Sequence, residues 1–343
     1  MIRYPTTREV VSNQDPLADV LDWLGFLAAR DYLSELLTQR HGLSPAAASS
    51  RVNAIVPHVR TGREYVQQSL DGPPALSFLP AYYAMLNLMK VYVLLGPRHG
   101  DLQQHRWHGI TYDVSQNRRS ILTEEITIRT GGVSPLFYES LTGLPFGSRQ
   151  RALRMRELLP YVAGVTHEYE LATGEASRLA VLKLTFEQRA GGLYPIMTAV
   201  AQPNAPPPQT WRRSELRLLR GFRADPNQPG RFVGTKIANE ANRVAEARAQ
   251  LRTHLAYRYP RDVVVTPLSA SRLELPEELP IALLFFHMSS VVRYRPEFFD
   301  RLQDSRFWPF LTSARIHSFY SFLLAFWSFM QQQNYFVYGP SRS

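Results

Sequence analysis

The spacing of apolar residues changes twice along this chain of 343 residues. Over residues 1–120 apolar side chains recur every three or four positions, as they do on one face of an α-helix. Over 121–275 they alternate or form short β-branched runs separated by Gly and Pro, which is typical of strands. The helical spacing returns over 276–343. The pattern therefore predicts a mainly α fold, in which the N- and C-terminal helices form one bundle interrupted by a mixed α/β insertion.

The first helices carry clear start and stop signals. Asp15-Pro16 and Ser44-Pro45 each place an N-cap residue before a proline suited to the first helical turn. The segment DGPPALS at 71–77 ends the second of these helices. A third is predicted from about Pro80 to Leu95, with Tyr83, Asn87 and Lys90 on one side. We expect these helices to pack together.

The middle of the chain mixes strand and helix patterns. We predict helices near 148–160 and 239–257, and loops at 202–210 and 224–230, where prolines and glycines cluster. Five runs have strand character: ILTEEITIRTGG, RLAVLKLTFEQ, YPIMTAVA, RFVGTKI and DVVVTPL. The later segments IALLFFHMSSVVRY at 281–294 and RIHSFYSFLLAFWSFM at 315–330 are apolar nearly all round. Helices of that kind have to be surrounded by others.

The composition excludes several classes of protein. The chain has no cysteine, which removes disulfides, thiolate metal sites and a cysteine nucleophile, and fits a reducing cytoplasm. We expect no secretory signal in MIRYPTTREVV and no membrane span, since the apolar run at 319–330 is too short. The net charge of +10 favours polyanionic partners such as RNA. Only three of the 39 basic residues are lysines, so the codon usage of a GC-rich genome would also account for the charge.

Histidines and arginines cluster after the third helix. The segment following Gly96-Pro97 contains Arg98, His99, His105, Arg106 and His108. His105 and His108 have a spacing that could present two imidazoles to a metal, but no HExxH pattern accompanies them and we expect no metal.

The same residues suit acid–base chemistry on RNA. A histidine such as His105 can take a proton from a 2′-hydroxyl, while a guanidinium such as that of Arg98 offsets charge developing on the phosphate. In the structural alternative these groups cap the helix and bond to backbone at a surface corner. Both interpretations stay open at this point.

A second basic segment is WRRSELRLLR at 211–220. If it is helical, Arg213, Arg217 and Arg220 lie on one face, with Trp211 beside them for base stacking. The alternative is the solvated face of a surface helix. The segment RQRALRMR at 149–156 also has four arginines, which a helix would spread over two rows. Since the chain has no Gly-rich phosphate loop, dinucleotide fingerprint or GxSxG elbow, we expect no cofactor.

Three segments carry a family resemblance. GREYVQQS at 62–69, LPAYYAMLNLMKVYVLL at 79–95 followed by WHGI at 107–110, and HMSSVVRYRPEFF at 287–299 are similar to the bacterial YaaC-like proteins. The resemblance implies a mostly helical cytoplasmic bacterial protein, without an established activity.

A second resemblance is to the HEPN superfamily of small helical bundles. This resemblance rests on the motif residues Tyr82-Tyr83-Ala84, Lys90 and His108-Gly109. Many HEPN proteins are metal-independent ribonucleases of toxin–antitoxin and antiphage systems that carry an Arg followed by a His. The resemblance assigns those roles to Arg98 and His105, although here the pair lies in a Gly-containing loop instead of a helix.

Two functions follow as expectations. The first is an RNA-binding protein, with metal-independent endoribonuclease activity as a candidate, in a bacterial defence or toxin–antitoxin setting. The second is a non-catalytic protein-interaction subunit of a defence or stress complex, because HEPN domains without the catalytic pair serve as partners. For both we expect a homodimer or a protein partner from the same operon.

Overall fold

The structure is a computed structural model that describes residues 4, 6–12, 15–104, 107–115, 120–200, 216–252, 255–257, 263–268 and 273–339. Within them are eleven α-helices and ten strands. The main body is helical and carries sheets inserted from the middle of the chain. This confirms the predicted fold class at the level of mainly α with mixed α/β.

Four helices form the N-terminal part: α1 Pro16–Leu27, α2 Arg30–His41, α3 Pro45–Asp71 and α4 Phe78–Leu95. The predicted caps are present, since the Asp15 carboxylate accepts from the Leu17 N–H at 3.1 Å and the Ser44 hydroxyl from the Ala47 N–H at 3.4 Å. Helix α2 was not predicted, because its twelve residues include only a short buried stripe of leucines.

Three helices form the C-terminal part: α9 Glu278–Tyr294, α10 Pro296–Gln303 and α11 Phe307–Gln331. Helices α9 and α11 pack against α4 through aromatic side chains, and α10 packs against α9 and α11. Tyr92 stacks on Phe329 with ring centroids 4.2 Å apart, and Phe78 meets Phe285 at 5.9 Å. Nearly every residue of α9 is buried, as its all-round apolar character predicts.

The chain ends meet in a two-stranded parallel sheet. Strand β1 Thr7–Val11 pairs with β10 Asn334–Tyr338, with Thr7 opposite Asn334. Neither strand was predicted from the sequence. Parallel pairing joins segments that are far apart in the chain, and no local pattern indicates the partner.

The middle of the chain contains two antiparallel sheets. The smaller has the order β2-β3-β4, with β2 Ile110–Tyr112, β3 Glu125–Ile128 and β4 Arg151–Arg154. The larger has the order β7-β8-β6-β5-β9, made of β5 Leu179–Arg189, β6 Gly192–Ala199, β7 Arg223–Ala224, β8 Arg231–Val233 and β9 Val263–Pro267.

Short helices connect these strands. They are α5 Val133–Thr142, α6 Met155–Leu158, α7 Thr166–Thr173 and α8 Arg243–Ala249, with 3-10 turns at His99–Gln103, Ile121–Thr123, Leu159–Tyr161 and Glu240–Asn242.

Two helix predictions in this region need correction. The helix predicted near 148–160 is a strand followed by a short helix, because the backbone of Arg151–Arg154 pairs with β3. The helix predicted near 239–257 is confined to Glu240–Asn242 and Arg243–Ala249. In both cases a local apolar spacing was overridden by packing against a neighbouring sheet.

Buried apolar side chains form two clusters. The larger cluster contains residues of α1 to α5, of the segment from Phe146 to Leu179, and of α9 to α11. The smaller lies on the five-stranded sheet and contains residues from Ala180 to Val264. The division of the chain into 1–120, 121–275 and 276–343 stays a prediction.

Helix α4 is the one described helix that is long and apolar enough to cross a membrane by length and composition. Of its 18 residues 72 % are buried inside the protein, as in the core helix of a helical bundle. The protein's own α3, α5 and α9 cover it.

Candidate nucleic-acid interface

Two polar stripes meet where α3 packs against α4. On α3, Arg51 and His58 are seven residues apart and lie on one face. On α4, Tyr83, Asn87 and Lys90 also share one face. The Asn87 side chain joins the stripes, since its Oδ1 lies 3.0 Å from His58 Nδ1 and its amide donates to the Tyr83 carbonyl at 2.8 Å. These contacts hold polar groups at one edge of an otherwise apolar interface.

A pocket of about 510 Å³ opens beside this junction. Arg51, His58, Lys90 and His99 supply its basic side chains, and none of its described lining residues is acidic. Burial lowers the pKa of Lys90 and that of Arg51, and neither side chain has an ion pair with a described carboxylate. The pocket therefore concentrates positive charge that no described carboxylate neutralises.

His58 is held in a defined orientation within this pocket. Because Asn87 Oδ1 is an acceptor, the geometry assigns the proton to His58 Nδ1 and leaves Nε2 with a lone pair. Burial lowers the pKa of His58; the bond to Asn87 opposes this shift, and the charge of Lys90 adds to it. A neutral imidazole beside an ammonium group can accept a proton from a bound ligand.

The predicted motif residues Tyr82, Tyr83, Lys90, His108 and Gly109 converge in the structure. Tyr82 Oη lies 2.9 Å from His108 Nδ1, and the ring of Tyr83 meets that of His108 edge to face at 6.2 Å. Burial lowers the pKa of His108, and the positive charges of Arg293 and Lys90 lower it further. The motif is thus a spatial cluster around one histidine.

The position of His108 depends on the start of α5. The carbonyls of Trp107 and His108 accept hydrogen bonds from the Val133 and Ser134 N–H groups, at 2.9 and 3.0 Å. Gly109 has φ +76°, and a Cβ there would lie 2.8 Å from Pro135 Cδ. Only glycine allows the chain to pass this closely.

Basic and aromatic side chains continue from the pocket to the end of α9. The half-buried rings of Tyr65 and Tyr83 stack at 5.4 Å, and the Arg293 guanidinium lies 4.9 Å from the centre of the exposed Tyr294 ring. We call this set the basic patch; it consists of Arg51, His58, Tyr65, Tyr83, Lys90, His108, Arg293 and Tyr294.

The sequence-predicted catalytic pair is only partly described. The Arg98 guanidinium makes ion pairs with Asp101 at 2.6 Å and Glu139 at 2.9 Å, so two carboxylates already neutralise it. These pairs raise its pKa, the Glu139 bond contributing most. His105 lies outside the described residues, and the pairing of Arg98 with His105 stays a prediction.

The predicted arginine stripe is described only in its second half. Trp211 and Arg213 lie outside the described residues. Residues 216–220 form turns instead of a helix, with Leu216, Leu218 and Leu219 buried. The helical condition for the stripe is therefore not met over this half, because its leucines join the smaller apolar cluster. Binding by Arg217 and Arg220 stays a prediction.

Sequence reasoning missed a buried polar cluster next to the basic patch. Glu124 and His287 are both 0 % exposed, with His287 Nε2 3.6 Å from Glu124 Oε2. Arg295 donates to Glu124 Oε1 at 2.6 Å, and the Tyr112 hydroxyl donates to Oε2. Burial alone would raise the pKa of Glu124, but His287, Tyr112 and Arg295 together lower it.

It also missed Arg51 and His58, although a signal was available. Their spacing of seven on α3 matches that of Tyr83 and Lys90 on α4, and two polar stripes on adjacent apolar helices suggest a shared polar junction. No such signal marks Glu124, whose partners are Tyr112 on β2 and, far along the chain, His287 and Arg295 at α9. Among the described residues, no three His, Asp or Glu side chains are grouped as metal ligands are.

The fold and the patch thus define a mainly helical protein with a basic pocket between two of its core helices, in which no described lining residue is acidic. The family model of the YaaC-like proteins matches residues 26–330, and the chain belongs to this family. No protein of curated function and no solved structure matches the chain.

Proposed function

We propose that this YaaC-like protein binds single-stranded RNA at the basic patch. The observation that carries the proposal is the pocket in which Arg51 and Lys90 face no acidic lining residue. Retaining such half-buried cations without a carboxylate costs stability, and an incoming phosphate would offset that cost. The HEPN-like character of the bundle is part of the same proposal.

The aromatic side chains favour a single strand over a duplex. Tyr294 is 56 % exposed and lies against Arg293, and Tyr65 and Tyr83 are partly exposed beside the pocket. Unpaired bases stack on such rings, while the cations contact the backbone.

Binding is tested by fluorescence anisotropy with a labelled single-stranded RNA over a range of salt concentrations. Lys90→Gln and Arg51→Gln should each weaken binding and lower the slope of log affinity against log salt by about 0.7. Arg40→Gln removes one exposed charge from α2, which contributes no residue to the patch, and serves as the matched control. Wild-type protein that binds no RNA at low salt would overturn the proposal, and equal binding of DNA would remove its RNA specificity.

Metal-independent cleavage is a second candidate, favoured by the free Nε2 of His58 beside Lys90. His58 would take the proton of a 2′-hydroxyl, and the Lys90 ammonium would stabilise the phosphorane charge. The 2′-oxygen would attack the phosphorus and the P–O5′ bond would break. The leaving 5′-oxygen would take a proton from water, giving a 2′,3′-cyclic phosphate and a 5′-hydroxyl.

Cleavage is measured on labelled RNA in EDTA, with DNA as the control substrate. His58→Ala should cost about 10²- to 10⁴-fold in rate if His58 is the base. The same loss in His105→Ala or Arg98→Ala, with His58→Ala unaffected, would instead support the pair predicted from the sequence. If all RNAs stay intact while binding persists, the non-catalytic interaction role is the better proposal.

The biological setting is proposed from the HEPN resemblance alone. A defence or toxin–antitoxin role predicts a neighbouring antitoxin, nucleotidyltransferase or multi-gene defence cassette. Size-exclusion chromatography with light scattering tests the expected homodimer, and co-purification with the product of an adjacent gene tests the alternative of an operon partner.

A further inference from the structure

A second pocket has no lining residue in common with the basic patch. It has a volume of about 690 Å³ and lies among β4, α6, α7 and the start of β5. Sites for small molecules fall in this range of volumes. Arg151, Arg156 and Arg178 line it together with Glu157 and Glu175.

The acidic side chains of this pocket are already engaged. Glu175 Oε1 accepts from the Arg156 guanidinium at 2.5 Å, and its Oε2 accepts from the Tyr169 hydroxyl at 3.4 Å. Glu157 Oε2 accepts from the Arg154 N–H at 3.0 Å, where it caps α6. Neither carboxylate neutralises Arg151 or Arg178.

Arg151 and Arg178 are therefore the uncompensated charges of the pocket. Neither guanidinium has an ion pair with a described residue, and Arg151 Nε is buried without a hydrogen-bond partner. A buried N–H of a charged group that lacks a partner is costly, so a ligand that accepts from it gains affinity.

Strand alternation explains why Arg151 lines the pocket. In β4, Arg151 and Leu153 lie on one face, while Ala152 and Arg154 lie on the other. Arg154 accordingly is exposed and lies 3.9 Å from Glu125 on the paired strand. The helix assumed for the segment at 149–156 would spread its four arginines over two rows. It therefore gave no indication that Arg151 and Arg154 lie on opposite faces of a strand.

We infer that this pocket binds the phosphate group of a small phosphorylated molecule of nucleotide size. A phosphate monoester carries close to two negative charges and three acceptor oxygens, which match two guanidinium forks. The buried tyrosines Tyr161 and Tyr169, with Pro160 and Leu273, provide an apolar floor for the rest of the ligand. The site contains no residue of the basic patch and does not depend on RNA binding.

The test is isothermal titration of the full chain with AMP, UMP, adenosine and inorganic phosphate. We expect the two nucleoside monophosphates to bind, inorganic phosphate to bind more weakly, and adenosine not to bind. Binding by inorganic phosphate as tight as that of the monophosphates would reduce the inference to an anion site. No binding by any phosphate compound would overturn it.

Matched variants locate the site. Arg178→Gln and Arg151→Gln should each weaken monophosphate binding by about ten- to a hundredfold, the loss of one charge-assisted hydrogen bond. Arg154→Gln removes the same charge from the opposite face of β4 and should bind as the wild type does. Because Arg151 is partly buried, Arg151→Lys is the variant that guards against misfolding: it keeps the positive charge but lacks the two-pronged guanidinium. Unchanged affinity in Arg178→Gln and in both Arg151 variants would contradict the assignment of the phosphate site to this pocket.

The two proposals fail separately. Lys90→Gln should leave monophosphate binding unchanged, and Arg178→Gln should leave RNA binding unchanged. A protein that binds AMP but no RNA would retain the pocket and lose the proposed function. If Lys90→Gln abolished AMP binding, the ligand would belong to the basic patch and the second site would be wrong.

Discussion

The basic patch and the Glu124 cluster lie near each other and are built from similar side chains, yet they differ in how charge is balanced. In the cluster, Arg295 and the buried His287 surround one carboxylate that accepts from Arg295 and Tyr112. In the pocket, Arg51 and Lys90 have no carboxylate among the lining residues. Removing one partner of a buried, paired charge is strongly destabilising, while a charge without a described counter-ion at an opening is available to a ligand.

The largest expected effect separates these two roles. Glu124→Ala should lower the free energy of unfolding by about 3–5 kcal/mol, because it removes the buried carboxylate that pairs with the mostly buried Arg295 guanidinium. Lys90→Gln in the patch should cost nothing in stability. Urea denaturation followed by circular dichroism measures both.

Glu125 provides the control for this comparison. It adjoins Glu124 in the chain but pairs with Arg154 at 3.9 Å on the surface, so Glu125→Ala should cost about 1 kcal/mol at most. Equal losses from Glu124→Ala and Glu125→Ala would mean that the buried cluster has no special structural role.

The next effect concerns the glycine that positions His108. Gly109 and Gly174 both have positive φ, +76° and +71°, but a Cβ at Gly174 meets nothing within 4 Å. Both alanine variants incur about 1–2 kcal/mol of left-handed strain. Gly109→Ala should lose about 1–3 kcal/mol more, through its clash with Pro135.

Thermal unfolding ranks these two variants, and RNA binding adds a second measurement. A displaced His108 should weaken binding in Gly109→Ala and leave Gly174→Ala unaffected. If both glycine variants were equally stable and bound RNA equally, the close approach at Gly109 would not control the patch.

The two regions also differ in how well the sequence predicts them. The helical starts at Asp15 and Ser44 follow from local capping chemistry, and the segments that contain Tyr82 and His108 carry the resemblance to the YaaC-like family. Local pattern cannot show that Glu124 meets Arg295, since 171 positions separate them in the chain. The strand at Arg151–Arg154 was missed for the same reason, because its conformation is decided by pairing with β3.

A smaller effect tests the cluster through pH. Burial lowers the pKa of His287, with the nearby Glu124 opposing the shift. The unfolded state therefore takes up a proton near the ordinary histidine pKa of about 6.5, while the folded state does not. The contribution of neutral His287 to the free energy of unfolding is therefore present above about pH 6.5. It is lost as the pH falls below that value, with a slope of at most about 1.4 kcal/mol per pH unit.

His287→Gln should reduce this slope between about pH 6.5 and pH 5, a range set by the histidine reference value. The lowered pKa of Glu124 affects stability only at a lower pH: its contribution is lost as the pH falls below the ordinary glutamate pKa. His167→Gln, on the exposed face of α7, is the matched variant. Identical slopes for the wild type and His287→Gln would show that the buried imidazole does not titrate differently on folding.

The smallest expected effect belongs to the arginine segment at 211–220. Replacing Arg213, Arg217 and Arg220 together by Gln lowers the salt slope by about 0.7 for each phosphate contact that is lost. Because residues 216–220 form turns with buried leucines, Arg217 and Arg220 do not lie on one face of a helix. We therefore expect a smaller decrease in the salt slope than the loss of three phosphate contacts would produce. RNA titrations at several salt concentrations compare this variant with Lys90→Gln. A decrease larger than that of Lys90→Gln would move the main RNA contact from the basic patch to this segment, and would restore the stripe predicted from the sequence.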